Sequence, residues 1–167
     1  MEIRDARESD FGPITAIYNE AVLHSTATYN DRPATCEERE ALWQARLEHG
    51  YPTLAALDGD IVTGFGTFGD FRAWPGYRYT VEVTIYVGEG MRGKRVGSAL
   101  LGALVARASA LGKRTMIAAV DAENEASLRF FERHGFERAG LLREVGNKFG
   151  RFLDLVLLQY WINERNP

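Results

Sequence analysis

The clearest pattern in the chain is an alternation of apolar and polar residues along Thr80–Val87. Valine and isoleucine occupy the odd positions, while threonine, glutamate and tyrosine occupy the even ones, which is typical of a β-strand with two different faces. From residue 96 to residue 111, apolar side chains recur instead at the spacing of one helical face. The sequence therefore predicts a strand, a short turn and a helix in direct succession.

Similar patterns predict the other elements. A first helix begins near Ser9 or Asp10 and ends near His24, and the capping box formed by Thr35 and Glu38 begins a second helix. The second helix ends at Gly50. The remaining predicted elements are a strand at 1–6, hairpin strands at 53–57 and 61–68, a strand at 118–120 and a helix at 124–133. The final strands are predicted at 136–142 and 152–160, joined by a loop that contains Lys148. This order predicts a mixed sheet covered by helices.

Composition narrows the class of protein. A chain of 167 residues is most simply one domain, here residues 1–167. Its 20 Lys and Arg against 23 Asp and Glu give a net charge of −3, so neither a nucleic-acid nor a membrane-surface partner is predicted. Cys36 is the only cysteine, and the three histidines are scattered, so no disulfide and no metal site are expected. Without a signal-like apolar start or a membrane-length apolar run, we expect a cytoplasmic protein.

The turn after the predicted strand is rich in glycine and carries Arg92, Lys94 and Arg95. A helix N-terminus with free N–H groups favours phosphate, and glycines let a polyphosphate approach the backbone. Gly88 and Gly93-Lys94 fit the spacing of a P-loop, but Arg95 stands where that loop needs a Ser or Thr hydroxyl for its metal. We therefore favour the pyrophosphate loop of a coenzyme A-dependent acetyltransferase, which needs no metal.

Arg92 and Gly97 also match the cofactor loop (Gln/Arg)-x-x-Gly-x-(Gly/Ala) of the GNAT superfamily of N-acetyltransferases, with Arg95 where glycine is usual. Segments before and after this loop resemble the branch that contains phosphinothricin and methionine sulfoximine acetyltransferases. The matching segments are 18–33, 69–80, 80–87, 118–136 and 145–159. The resemblance covers nearly the whole chain and implies the GNAT fold: an α/β protein with about seven mostly antiparallel strands, splayed apart between strands 4 and 5.

The resemblance also implies binding sites for acetyl-CoA, as co-substrate, and for a small amine acceptor. The residues expected at acetyl-CoA are Ile85, Tyr86, Val87, Arg92, Gly93, Lys94, Arg95, Val96, Gly97, Ser98, Asn124 and Ser127. The residues expected at the acceptor are Arg72, Trp74, Pro75, Gly76, Tyr77, Arg78, Glu82 and Val83. Two arginines beside an aromatic pair suit a carboxylate with an apolar side chain.

Acetyl transfer to an amine needs a proton acceptor, a donor to the developing oxyanion and a proton for the leaving thiolate. Glu82 stands where the resembled branch has its base, and a backbone N–H of strand 4 is the expected oxyanion donor. The third role is open, because Phe131 occupies a position where many GNAT enzymes have tyrosine. Tyr86 or solvent then protonates the thiolate, or it leaves unassisted. Val83 stands where relatives often carry histidine, which removes one possible partner of Glu82.

The predicted function is transfer of an acetyl group from acetyl-CoA to the α-amine of an amino acid or analogue, such as methionine sulfoximine, methionine sulfone or phosphinothricin. The alternatives are acetylation of protein N-termini or polyamines, a non-catalytic acyl-CoA sensor and a P-loop nucleotide-binding protein. A homodimer is expected from the resemblance and from the apolar strand 152–161, assumed to be an open sheet edge. Residues near Lys148 and Phe149 are then expected to reach the acceptor pocket of the other subunit.

Overall fold

The computed structural model describes residues 1–163, and residues 164–167 lie outside the described part of the chain. The elements in chain order are β1 Glu2–Asp5, α1 Phe11–His24, α2 Cys36–Glu48, β2 Thr53–Asp58, β3 Ile61–Asp70, β4 Thr80–Val87, α3 Val96–Ala110, β5 Thr115–Asp121, α4 Glu125–Arg133, β6 Glu137–Lys148 and β7 Arg151–Trp161. Short 3₁₀ turns precede α1 and β4. Within residues 1–163, no helix is long and apolar enough to cross a membrane.

The seven strands form one sheet in the order β1-β2-β3-β4-β5-β7-β6. All neighbours are antiparallel except β4 and β5, which are parallel. Their shared register runs only from Thr80 opposite Thr115 to Glu82 opposite Ile117, whereas β3 follows β4 as far as Val87. The predicted mixed sheet and its separation between strands 4 and 5 are confirmed.

Helices cover both faces of this sheet. On one face, the buried side of α1 packs on Phe65 of β3, and Trp43 of α2 and Tyr86 of β4 pack at the edge of this cluster. On the other face, α3 and α4 pack on the apolar residues of β4 and β5, which include Val81 and Val83. The alternation along β4 thus divides its side chains between two separate cores, as predicted.

The helix starts follow their sequence signals in one case and depart from them in another. At α2, Thr35 Oγ1 accepts a hydrogen bond from the Glu38 N–H at 3.2 Å, and the Glu38 carboxylate accepts from the Thr35 N–H at 2.9 Å. At α1, Asp10 occupies the N-cap position but does not cap the helix. Its carboxylate instead accepts from the Arg7 N–H and forms an ion pair with Arg4.

The C-terminal hairpin differs from the prediction. β6 continues to Lys148, so this lysine is a strand residue with 3% exposure and not part of a loop. The turn is Phe149 and Gly150, both with positive φ. Two irregularities in the β6–β7 register interrupt the alternation of β6, which explains why the strand was expected to stop near residue 142. The assumed open edge was also wrong, because β7 lies between β5 and β6, and β6 is the outer strand.

Candidate active site

A cavity of about 790 Å³ opens where β4 and β5 separate. Its walls come from the end of α1 and the following loop, the last residues of β4, the glycine-rich turn with the start of α3, and α4. Because the gap passes through the sheet, the cavity connects the two faces on which the helices lie.

The turn between β4 and α3 has the backbone that a phosphate site requires. Gly93 has a φ of 78° and Arg95, the N-cap residue of α3, has a φ of 65°. The first N–H groups of α3 have no partner inside the helix and lie beside the cavity. A Cβ atom on Gly97 would lie 3.3 Å from the ring of Phe130, so glycine allows α3 and α4 to approach closely here. Arg92 and Arg95 line the same end of the cavity and add positive charge.

The structure brings together nearly all residues expected at acetyl-CoA. Those that line the cavity are Ile85, Tyr86, Val87, Arg92, Gly93, Arg95, Val96, Gly97, Ser98, Asn124 and Ser127. Lys94 does not line it, and its ammonium group lies 3.5 Å from the sulfur of Met91. Asn124 caps α4 by accepting a hydrogen bond from the Ser127 N–H at 3.1 Å, which fixes this wall of the cavity.

Several residues of the cavity were missed by the sequence analysis. Arg133 and Arg151 add two cations to its lining, although they lie on different elements and form no local motif. His134 also lines it, with Nε2 3.0 Å from Ser98 Oγ and Nδ1 2.7 Å from the Phe130 carbonyl oxygen. This histidine joins α4 to the first turn of α3, a contact that spacing along the chain does not reveal.

Glu82 does not line the cavity and lies three residues before Ile85, the first β4 residue of the lining. It lies directly opposite Gly69 of β3 and shares the last β4–β5 pair with Ile117. Burial raises the pKa of Glu82, and the positive charge of Arg72 partly opposes this effect. A carboxyl group with a raised pKa is a better proton acceptor than an ordinary surface carboxylate.

The predicted acceptor loop is largely exposed and does not line the cavity. Trp74 is 75% and Tyr77 44% exposed, and a 3₁₀ turn spans Pro75–Tyr77, with Gly76 at its centre in open space. Arg72 donates to the Phe71 carbonyl at 2.9 Å, and Arg78 donates to the Pro75 carbonyl at 3.1 Å. Neither arginine forms an ion pair within the described residues, so both remain available to an anion.

Val83 was expected at the acceptor, and here the structure corrects the sequence analysis. Its side chain is buried in the core on the α3 side of the sheet, whereas Glu82 belongs to the opposite face. The side chain of Val83 therefore does not contact an acceptor bound beside Glu82. Its backbone N–H points toward β5 at the last β4–β5 pair, so the expected oxyanion donor is a later N–H on the same side of β4.

Tyr86 is the tyrosine of β4 that lines the cavity. Its ring stacks on Phe65 with 5.4 Å between centroids and meets Tyr18 edge to face at 5.5 Å. Its hydroxyl donates to the Ala27 carbonyl at 3.4 Å. Burial and the neighbouring Tyr18 raise the pKa of Tyr86 to about 12, so it keeps its proton at neutral pH. Phe131 is buried and also lines the cavity, at the position where a tyrosine is usual.

The loop after α1 forms one wall of the cavity and is held in place by residues of β6 and β7. The Lys148 ammonium group donates to the carbonyl oxygens of Ser25 and Thr28, both at 2.7 Å. Tyr29 donates to the Asp154 carbonyl at 3.1 Å, and its ring fills the space that a side chain on Gly146 would need. Local sequence patterns do not reveal this link, because the partners are more than 100 residues apart.

Within residues 1–163 no group of His, Cys, Asp and Glu side chains is arranged to hold a metal ion. The profile of the acetyltransferase (GNAT) family matches residues 14–136, most of the segment that carries the cavity. The chain belongs to the GNAT family of acetyltransferases. The match includes α1, the sheet gap, the glycine-rich turn and α4.

Individual GNAT relatives extend this similarity to nearly the full length. The chain is 42% identical to an L-methionine sulfoximine/L-methionine sulfone acetyltransferase of Salmonella typhimurium, over 98% of this chain and 96% of that protein. A solved Salmonella typhimurium acetyltransferase with its cofactor acetyl-CoA superposes with a TM-score of 0.95 at 41% identity, covering 99% and 96% of the two chains. A Sinorhizobium meliloti phosphinothricin acetyltransferase in complex with acetyl-CoA superposes with a TM-score of 0.92 at 38% identity, covering 96% and 87%.

Proposed function

We propose that this GNAT protein transfers the acetyl group of acetyl-CoA to the α-amine of a small amino acid or analogue of the methionine sulfoximine, methionine sulfone or phosphinothricin type. The observation that carries the proposal is the cavity at the sheet gap, which has free helix N–H groups and cations at one end, while Glu82 lies on the same strand where the gap begins. The relatives that act on these acceptors share the full length of this chain.

The cavity residues fit acetyl-CoA without a metal. The pyrophosphate binds the free N–H groups from Arg95 to Ser98, with the side chains of Arg92 and Arg95 nearby. The extended arm of the cofactor runs through the gap and forms hydrogen bonds with the backbone of Ile85 and Val87, which β5 leaves unpaired. Acetyl-CoA supplies an activated thioester. The thioester carbonyl would then lie near the point where β4 separates from β5.

Glu82 acts as the base of the reaction. It accepts a proton from the acceptor ammonium group, directly or through water, and the freed amine attacks the thioester carbonyl carbon. A C–N bond forms, the C–S bond breaks, and the nitrogen loses its second proton to solvent, while a β4 N–H freed by the separation of the strands donates to the oxyanion. Tyr86 is the candidate that donates a proton to the departing thiolate, since its hydroxyl is protonated at neutral pH.

Mass spectrometry of a panel of free amino acids and analogues incubated with acetyl-CoA tests this function. We expect acetylated methionine sulfone, methionine sulfoximine or phosphinothricin, with weaker products from peptides and polyamines. Turnover of peptide N-termini or polyamines alone would replace the acceptor class. Binding of acetyl-CoA with no acetylated product in any reaction would instead favour a sensor.

We further propose a homodimer, formed through the outer strand β6. This strand, the following turn and the start of β7 expose large apolar side chains, which a solvated edge normally avoids. They are Leu141, Leu142, Val145, Phe149 and Phe152, each 42% to 67% exposed. Phe149 and Arg151 also line the cavity, so a partner seated on this surface lies close to the site. We also infer that the chain acts as one domain in the cytoplasm, where acetyl-CoA is made and used.

A further inference from the structure

The inner side of α2 carries positive charge where a covering helix normally has apolar residues. Its partly buried residues include Cys36, Arg39, Trp43 and Arg46, which recur at the spacing of one helical face. This face covers the same side of the sheet to which Glu82 and Tyr86 belong. Two guanidinium groups thus lie between a helix and the sheet face next to the proposed base.

Neither guanidinium has an anionic partner among residues 1–163. Arg39 lies over the rings of Tyr18 and Phe65, at 4.3 and 5.4 Å from their centroids, and its Nε atom is buried without a hydrogen-bond acceptor. Arg46 forms no side-chain ion pair, and burial together with the charge of Arg39 lowers the pKa of Arg46 to about 10. An unpaired, partly buried cation costs stability, so its presence is explained if it binds an anion from solution.

Arg46 reaches the sheet beside Gly69, the β3 residue opposite Glu82. Its Nε atom lies 3.9 Å from the point that a Cβ atom on Gly69 would occupy. Gly69 is directly opposite Glu82, and Cβ positions of such a pair are roughly 5 Å apart. A ligand whose ammonium and carboxylate groups are bonded to one carbon atom can thus face Glu82 and Arg46 at the same time.

We propose that Arg46, assisted by the charge of Arg39, binds the carboxylate of an α-amino acid acceptor while Glu82 faces its ammonium group. This inference rests on the proposed acetyltransferase function and specifies its acceptor as a zwitterion. The competing candidates, Arg72 and Arg78, lie in an exposed loop, where water weakens an ion pair more than it does beside the partly buried Arg46. A polyamine would place further positive charge against the two arginines, so this site disfavours it.

The test compares kcat/KM for L-methionine sulfone and its carboxamide, which lacks the negative charge, at saturating acetyl-CoA. The ratio of the two values isolates recognition of the carboxylate in each variant. We expect Arg46→Gln to lower this ratio about 10- to 100-fold, mainly through the KM of the acid, as is typical of a lost charge-assisted hydrogen bond. Arg46→Lys should retain part of the preference, and Arg39→Gln should lose less than Arg46→Gln.

Arg129→Gln is the matched control, because it removes a surface arginine that pairs with Glu125 on α4. It should leave the ratio unchanged. Melting temperature separates binding from a structural role: Arg46→Gln should melt no lower than the parent, because it removes an uncompensated charge. An unchanged acid-to-amide ratio in Arg46→Gln, or a loss confined to Arg78→Gln, overturns the inference.

If the parent acetylates neither compound, the proposed function fails, and calorimetric binding of the same two compounds then decides the inference separately. The acid should bind the parent more tightly than the amide does, and Arg46→Gln should remove the difference. No binding of the acid, or equal binding to the parent and Arg46→Gln, rejects the carboxylate site.

Discussion

Glu82 lies opposite Ile117 in the last residue pair that β4 shares with β5. Beyond this pair β4 has no neighbour on its β5 side, and from Ile85 to Val87 it borders the cavity. The carboxyl group of Glu82 therefore lies where β4 and β5 begin to separate, on the face covered by α1 and α2. A base at this point can serve an amine that approaches a thioester held along β4.

Replacing Glu82 by Gln tests this role. The change keeps the size and the strand pairing but removes the proton acceptor, so kcat should fall roughly 10²- to 10⁴-fold at neutral pH. Activity should recover as the pH approaches the pKa of the acceptor amine. Glu89→Gln, an exposed carboxylate in the neighbouring turn, is the control and should behave as the parent does. A kcat within threefold of the parent, with chemistry rate-limiting, removes Glu82 from the mechanism.

The raised pKa of Glu82 gives a second prediction, on pH. Because the folded protein favours the protonated carboxyl, its ionisation destabilises the fold as pH rises from the ordinary glutamate pKa through the raised value. Glu82→Gln should therefore melt at the same temperature or higher at neutral pH. The decline of kcat/KM at acidic pH should have its midpoint above the ordinary glutamate pKa, because only ionised Glu82 acts as the base. A lower melting temperature for Glu82→Gln would favour a structural ion pair instead.

Arg95 gives a prediction on stability, because it adopts the left-handed backbone that glycine adopts without strain. Arg95→Gly should raise the free energy of unfolding by up to about 1 kcal/mol, after the larger entropy of the unfolded glycine chain is subtracted. The KM for acetyl-CoA should stay nearly unchanged, since the backbone N–H remains. Lys94→Gly, in the same turn but without positive φ, should not stabilise the protein. A tenfold or larger loss of acetyl-CoA affinity in Arg95→Gly would show that its side chain binds a phosphate.

Acetyl-CoA should stabilise the protein in the presence of EDTA, since the cavity offers N–H groups and cations and needs no metal. At 100 times the dissociation constant, the stabilisation should be about 2.7 kcal/mol. A thermal melt with and without the ligand measures it. Stabilisation by Mg-ATP and not by acetyl-CoA would restore the P-loop interpretation.

Lys148 should matter for the loop after α1. Lys148→Met leaves the carbonyl groups of Ser25 and Thr28 without their donor, so we expect a loss of roughly 2–4 kcal/mol in stability. Hydrogen exchange of residues 25–30 should accelerate more than that of α3. Lys94→Met, whose ammonium group is exposed, should change neither quantity. Equal acceleration in both segments of Lys148→Met would indicate global unfolding rather than release of this loop.

Much of this arrangement could be predicted from the sequence, because its signals are local. The alternation along β4, the glycine-rich turn and the capping box at Thr35 each depend on residues a few positions apart. The alternation even separated Val83 from Glu82, although family resemblance had placed both at the acceptor. Local rules were sufficient where the relevant residues lie within one element, as they do on the two faces of β4.

The rest depends on contacts between distant segments. The burial of Lys148 follows from its bonds to a loop more than 100 residues earlier, and β6 extends past its predicted end through register shifts set by β7. Likewise, the inward position of Arg39 and Arg46 is decided by how α2 packs on the sheet. Charged residues at helical spacing normally predict a solvated face, so the sequence pattern alone pointed away from this site.

The separation of β4 from β5 leaves two unpaired strand edges inside the sheet, in addition to the outer edges at β1 and β6. A strand of another chain can normally pair with an unpaired strand edge, and such pairing leads to aggregation. Here α1, its following loop and α4 enclose the gap, so a neighbouring chain has no room to lie along it. The same enclosure that admits a narrow ligand thus protects the protein against association through the middle of its own sheet.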